Sequence, residues 1–293
     1  MRIAVLGAGG VGGFLAAALQ RGGNDVVVIA RDATVDAVMR DGLTVTSTTH
    51  GEMHERPRAA TALDQDVDVL IITVKATGLD DALSRIHTDP RLVVPQLNGL
   101  DHMPVLRARF GDAVVAAAIR IEATRIGPTT IEHTSPFLLV DLAGAGEFAA
   151  TLEAAGIPTR TSETETQVMW TKLVRLNALA LTTTAFEAPL GAIRDDPDRR
   201  AALVAVMHET AAAGNAAGAR LDPGIAETEL LVNAHAELRS SMARDVEAGR
   251  EPELDAIAGS VLRAAARHEV AVPTIASLTQ LISRRAGVEV SWN

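Results

Sequence analysis

The sequence predicts an α/β domain followed by an all-helical one. Three observations lead there. The first half alternates short β-branched runs with helical stretches, the pattern of a mostly parallel sheet covered on both faces. Past "AGIPTRTSE", near residue 163, almost every segment takes helical spacing instead. A glycine-rich turn, "GAGGVG", joins the first strand to the first helix at the N-terminus. A chain of 293 residues is long enough for two cores, since single ones rarely grow much beyond ~250 residues. The expected division is 1–163 and 164–293.

In order, "RIAVLGAG" reads as a buried strand, "VGGFLAAALQRGG" as a helix ended by glycines, and "DVVVIAR" as a second strand. "GLTVTS", the turn "THGE" and "ERPRAAT" predict a hairpin excursion. "DVDVLIITVK", "RLVVPQLN" and "AVVAAAIRIEATR" are further strands, with "LDDALSRI" and "DHMPVLRARF" as intervening helices. "TTIEHTSPFLLVDLA" closes the series as β structure. The second half holds "DRRAALVAVMHETAAAGNAAGA", "AETELLVNAHAELRSSMARDVEAG" and "ELDAIAGSVLRAAARHEV", all of helical spacing. Breaks fall at Pro189, "LDPG", "GREP" and "VAVP".

Composition excludes several function classes. The formal net charge of −10 and the scarcity of aromatics (2%) leave neither a basic footprint nor a stacking platform for nucleic acid. There are no cysteines, so no disulfide scaffold or thiolate metal site, as expected of a cytoplasmic protein. The N-terminus turns to glycine after a short apolar run, unlike a signal peptide, and no window has the ~18 apolar residues of a membrane helix. His50 and His54 are spaced i, i+4, but on a hairpin that spacing is not ligand geometry. A solvated hairpin is expected there, and no metal site.

Gly7, Gly9 and Gly12 have G-x-G-x-x-G spacing, directly after a strand and opening a helix. The first glycine allows the tight turn, the second lets backbone approach a pyrophosphate, and the third lets helix pack on strand. Phosphate would then sit at the helix N-terminus, among the backbone groups of Gly9, Gly10, Val11 and Gly12. This is the expected cofactor turn of a Rossmann-type dinucleotide-binding domain. Where NAD-binding chains place a carboxylate at the end of the second strand, this one has "VIARD". Arg31 suits a 2′-phosphate, because its fork grips phosphate bidentately, so NADP(H) is the expected cofactor.

Lys75 and Asn98 close two strands at the carboxyl edge, where ligands of open α/β sheets bind; on spacing alone each is equally a strand-end polar residue. Ser241 and Asp245 share a helix face. Glu253 follows Pro252 in the first turn of a helix, where acids are common simply to complement the dipole. "MWTKLVRLNALAL" is apolar on almost every side but carries Lys172 and Arg175, with Asn177 just behind. Burying an ammonium is costly unless something needs it there.

Taken together, "GAGGVG", "IAR", "TVKA", "LNG", "WTKL", "SSMARDVEAGREPELDAIAG" and "VAVPTIASL" resemble the ketopantoate reductase (2-dehydropantoate 2-reductase) family from end to end. The resemblance implies NADPH-dependent reduction of a 2-oxo acid, between a Rossmann domain and a helical domain, by a monomer or homodimer in pantothenate biosynthesis. It implies Lys172 as the general acid, Glu253 as the carboxylate orienting substrate and lysine, and Ser241 as the holder of the substrate carboxylate. Lys75 and Asn98 would line the nicotinamide and substrate side, with Asp245 in support. Arg175 is either a second anion contact or a surface charge.

One departure stands out. The family has asparagines four and eight residues after the lysine; here those positions are Leu176 and Ala180. Asn177 is one residue late, about 100° round the helix, and reaches substrate only if a local bulge restores it. A reductase of the same scaffold acting on a different ketone or imine, or a non-catalytic dinucleotide-binding protein, is the alternative.

Overall fold

A computed structural model describes residues 1–162 and 164–292; residue 163, the expected domain boundary, lies outside the described residues. The chain divides into two compact units. Met1–Leu97 and His102–Val168 form the first; Asn98–Asp101 group with the chain from Met169 onward in the second.

The first unit runs β1 (Arg2–Leu6), α1 (Gly10–Arg21), β2 (Asp25–Ile29), α2 (Asp32–Asp41), β3 (Leu43–Ser47), β4 (Gly51–Glu55), β5 (Arg58–Ala60), β6 (Val69–Ile72), α3 (Leu79–Leu83), β7 (Leu92–Pro95), α4 (His102–Phe110), β8 (Ala117–Arg120), β9 (Ala123–Arg125), β10 (Thr130–His133), β11 (Leu139–Ala143), α5 (Gly146–Ala154) and β12 (Thr159–Ser162). Five strands pair in parallel in the order β5-β2-β1-β6-β7. The apolar run of β1 from Ile3 to Leu6 is wholly buried, as a central parallel strand covered on both faces must be. Chain direction around the sheet reverses at β1 and β6, which puts a crevice at their carboxyl ends.

Two expectations change. The stretch "ERPRAAT" leaves the predicted hairpin excursion: β3 and β4 pair antiparallel, but β5 joins β2 in the parallel sheet. The single strand expected in "AVVAAAIRIEATR" is two, with β8 paired to β11 and β9 to β10. The break is at Glu122, whose N–H donates to Ser135 Oγ at 3.0 Å while its carbonyl accepts from Thr134 N at 3.0 Å.

The sheet β4-β3-β10-β9 supports α1. Phe14 of α1 packs edge-on against His133 and His50, with ring centroids 4.9 and 5.3 Å away. His133 is buried and hydrogen-bonds Ser47 Oγ at 2.8 Å and Ser135 Oγ at 3.0 Å. His50 is therefore not simply solvated, whereas His54 stays exposed beside Thr44. No group of three metal-ligating side chains occurs among the described residues.

The second unit is built on α6 (Glu165–Ala185), whose first turn lies in the first unit, with α7 (Leu190–Asp195), α8 (Pro197–Ala216), α9 (Pro223–Glu227), α10 (Ser241–Glu247), α11 (Ser260–Arg267) and α12 (Pro273–Ala286). Its core gathers Trp170, Leu173, Val174 and Leu181 of α6 with Leu203 and Met207 of α8 and Ile257 and Val261 near α11. Asp222 caps α9 ahead of Pro223, at the expected "LDPG" break, and Asp196 caps α8 ahead of Pro197 in the same way. The helix expected over "AETELLVNAHAELRSSMARDVEAG" is interrupted. A π turn, Thr228–Asn233, follows α9, and the chain starts again at α10. Arg194 Nη1 donates to the Ala234 carbonyl at 2.9 Å, holding the end of that turn. No helix of the described residues is long and apolar enough to cross a membrane.

Burial is the largest influence on His133 and lowers its pKa, reinforced by His50 nearby and opposed by a backbone hydrogen bond at Phe137. The unfolded chain therefore takes up this proton before the native state does, so stability is full above about pH 6.5 and falls below it. Denaturant unfolding at pH 7.5 and 5.5 should show a smaller loss for His133→Gln than for the wild type. An equal loss would remove His133 from the account.

Candidate active site

Three adjacent parallel strands deliver side chains to one sheet edge. After β1, Gly7 takes φ +101°, a left-handed conformation open to glycine, and its N–H donates to the Ile29 carbonyl that ends β2. Gly12 lies so close to Gly7 that a Cβ there would be 1.9 Å from the Gly7 carbonyl oxygen and 2.3 Å from Thr73 Oγ1. Thr73, directly after β6, donates that hydroxyl to the Gly7 carbonyl at 2.7 Å. Gly9 caps α1 and is exposed, and nothing lies within 4 Å of where its Cβ would be. Gly10 and Val11 follow in the first helical turn, which has no acidic residue to compete with an anion. An open glycine at an unobstructed helix N-terminus fits a pyrophosphate.

Arg31 precedes α2, two residues past the end of β2, with its side chain 80% exposed and 3.8 Å from Asp81 Oδ2. Lys75 is exposed before the short 3₁₀ turn Ala76–Gly78, three residues beyond β6. The edge thus carries arginine, glycine turn and lysine on β2, β1 and β6 in spatial order.

The second unit gathers the remaining candidates. Asn98 Nδ2 donates to Glu253 Oε2 at 3.0 Å, joining residues 155 positions apart. Glu253 is buried, so its carboxylate needs such partners. Asp245 is also buried and accepts from Arg250 Nε at 2.9 Å. Ser241 opens α10 and is exposed, whereas its neighbour Ser240 is buried and caps the helix by accepting from Ala243 N at 3.0 Å. Lys172 lies partly buried on α6. Arg175, one turn on, pairs with Glu229 at 3.3 Å.

Asn177 differs from its expected place. No bulge interrupts α6, and Asn177 is fully buried with Nδ2 donating to Thr210 Oγ1 of α8 at 3.0 Å. Its amide ties two helices, and the positions expected to carry asparagine remain Leu176, partly buried, and Ala180, buried.

The family model for ketopantoate reductase PanE/ApbA matches residues 3–140, and that for its C-terminal part matches 166–286. The chain belongs to the ketopantoate reductase family. It is 29% identical to the 2-dehydropantoate 2-reductase of Caulobacter vibrioides, across 97% of this chain and 99% of that one. A crystal structure of 2-dehydropantoate 2-reductase from Geobacter metallireducens superposes with TM-score 0.89 at 25% identity, over 97% and 99% of the two chains. D-Mandelate dehydrogenase, solved with NADH and anilino(oxo)acetate, shares the fold, with TM-score 0.86, 21% identity and 98% and 99% coverage. Oxidoreductases that share this fold therefore differ in substrate.

Sequence reasoning passed over Thr73, which holds the glycine turn, and Ser240, which starts α10. The second had a readable signal, because a serine three residues before an amide at a helix start is a common cap. Thr73 had none, since its partner lies on another strand.

The glycines separate fold from binding. Gly12→Ala should destabilise the protein by about 1–3 kcal/mol, because the added methyl meets backbone. Gly9→Ala should leave unfolding within about 0.5 kcal/mol of wild type yet weaken dinucleotide binding measured by titration. Unaltered binding in a folded Gly9→Ala variant would place the pyrophosphate elsewhere.

Proposed function

We propose that this family member is an NADPH-dependent reductase of a 2-oxo acid, with the first unit holding the cofactor and the helical unit the substrate. The observation that carries the cofactor assignment is the shared edge of β2, β1 and β6, where Arg31, the Gly7–Gly12 turn and Lys75 follow one another. Gly7, Gly9, Gly10, Val11 and Gly12 would take the pyrophosphate, and Arg31 the 2′-phosphate as a charge-assisted clamp. NADPH supplies the hydride when bound.

The chain's own residues supply the rest. Reduction of a ketone leaves negative charge on oxygen, and Lys172 would stabilise that charge and give the proton. Glu253, held by Asn98, would orient lysine and substrate. Ser241, in the first turn of α10, would hold the substrate carboxylate, and Lys75 and Asn98 would face the nicotinamide and substrate. Asp245 fits a supporting part, through its pair with Arg250. Asn177 is left out of the substrate set, because its amide is committed to Thr210.

Leu176, partly exposed where the family has an asparagine, favours a more apolar side chain on the substrate than that of 2-dehydropantoate, whose extra hydroxyl would lack that partner; Ala180 is sealed in the core. A site that hydrogen-bonds a substrate hydroxyl rejects the analogue lacking it by about 10⁴-fold or more, whereas an apolar wall does not.

NADPH oxidation followed by absorbance against a panel of 2-oxo acids, including 2-dehydropantoate, its deoxy analogue and benzoylformate, tests both parts. Turnover should favour the apolar acids, and 2-dehydropantoate should hold no large advantage over its deoxy analogue. Strong preference for 2-dehydropantoate would return the pathway substrate of the family to first place, and no turnover of any would favour a non-catalytic dinucleotide binder. NADPH should bind better than NADH, and Arg31→Ala should remove about 10- to 100-fold of that preference. Equal dissociation constants in the wild type would overturn the NADP assignment.

A further inference from the structure

The segment Asn98–Asp101 is fastened to the helical unit by three separate contacts. Asn98 Nδ2 donates to Glu253 Oε2. Gly99, at φ +81°, lies so near the chain at Ala256 that a Cβ would be 1.9 Å from that carbonyl oxygen. Asp101 Oδ2 accepts from Arg263 Nη2 at 2.6 Å. The same guanidinium donates to Asp255 Oδ1 at 2.8 Å, to Asp255 Oδ2 and the Asp255 carbonyl at 3.2 Å, and to the Ser291 carbonyl at 2.5 Å.

The placement of these pairs is specific. Asp101 is three residues past Asn98, and Asp255 is two past Glu253, opening the π turn Asp255–Gly259. Arg263 therefore grips both chain segments that meet in the Asn98–Glu253 hydrogen bond. Its side chain is only 11% exposed, whereas those of Asp101 and Asp255 are about half exposed (46% and 47%). Burial works to lower the arginine's pKa, but hydrogen bonds to Asp255 and Asp101 outweigh it and leave it raised. With five donors in a rigid plane, arginine fixes the relative position of two carboxylates in a way a lysine cannot. π turns are rare and frequently lie at functional sites.

We propose that Arg263 is a positioning residue: by joining Asp101 to Asp255 it sets Asn98 against Glu253, and so sets the direction of the Glu253 carboxylate. This rests on the assignment of Asn98 and Glu253 to the reaction centre. Small displacements of an orienting group cost turnover more than binding, because they spoil alignment in the transition state.

The test uses Asp101→Asn, a mild change at a half-exposed position, with Arg263→Lys and Arg263→Gln beside it. Kinetics are measured with NADPH and whichever of 2-dehydropantoate and benzoylformate turns over faster. Asp101→Asn should lower kcat about 10-fold with KM within about twofold. The double variant Asn98→Ala/Asp101→Asn should be no slower than Asn98→Ala alone, since both act through one hydrogen bond. Arg263→Lys should retain more kcat than Arg263→Gln. Without any substrate, the Asn98 side-chain amide signal of asparagine-labelled protein, assigned by its loss in Asn98→Ala, should shift in Asp101→Asn. An unmoved signal would overturn the clamp, and so would wild-type kcat or additive losses where Glu253→Gln itself lowers turnover. Glu253→Gln separates the two ideas: if it keeps full turnover while the Asn98 signal still responds to Asp101, the clamp stands and the assignment of the reaction centre fails.

Discussion

A buried helix can carry polar side chains only where something meets them, and this constraint organises the helical unit around α6. Its apolar residues fill the core, and several of its polar groups act as joints to neighbouring elements. Asn177 binds Thr210 and fixes α8; Arg175 pairs with Glu229 and fixes the π turn Thr228–Asn233. Thr183 meets the hydroxyl of Ser240 at 2.9 Å, and Ser240 caps α10, so α6 also decides where Ser241 begins its helix. Lys172 and Thr183 lie on one stripe of α6, about 20° apart in helical rotation. The candidate proton donor and the joint that starts the candidate carboxylate-binding helix thus share one rigid element.

The first unit answers a different constraint, the close approach of backbone to backbone. A parallel sheet with reversed winding leaves a crevice at its carboxyl edge, and α1 fits beside it because Gly12 has no side chain between helix and turn. The hydroxyl of Thr73 then ties β6 to the same turn. An anion-binding helix start is a by-product of this packing, since the first N–H groups of a helix have no acceptor within it and α1 has no side-chain cap.

Periodicity made most of the fold legible, because burial on two faces or one leaves a regular imprint on strands and helices. It failed where partners, not spacing, decide. Arg58–Ala60 read as part of a hairpin but pairs with β2, and the run after Val114 divides at Glu122 because Ser135 captures its amide. The glycine turn and Arg31 were legible from spacing within one βαβ unit. Asn98 and Glu253 were visible only as separate candidates, since no local pattern joins residues 155 apart. Asn177 could reach a pocket only through a bulge in α6; the helix is unbroken, and its amide meets Thr210 instead.

The central claim is that a lysine on this buried helix is the proton donor. Turnover of Lys172→Ala, measured alongside its NADPH dissociation constant, addresses it most directly. Turnover should fall by about 10²- to 10⁴-fold, the usual worth of a positioned acid, while the dissociation constant stays close to wild type. Near-wild-type turnover in a folded Lys172→Ala protein would make the lysine a helix-edge charge and leave the reaction without its acid.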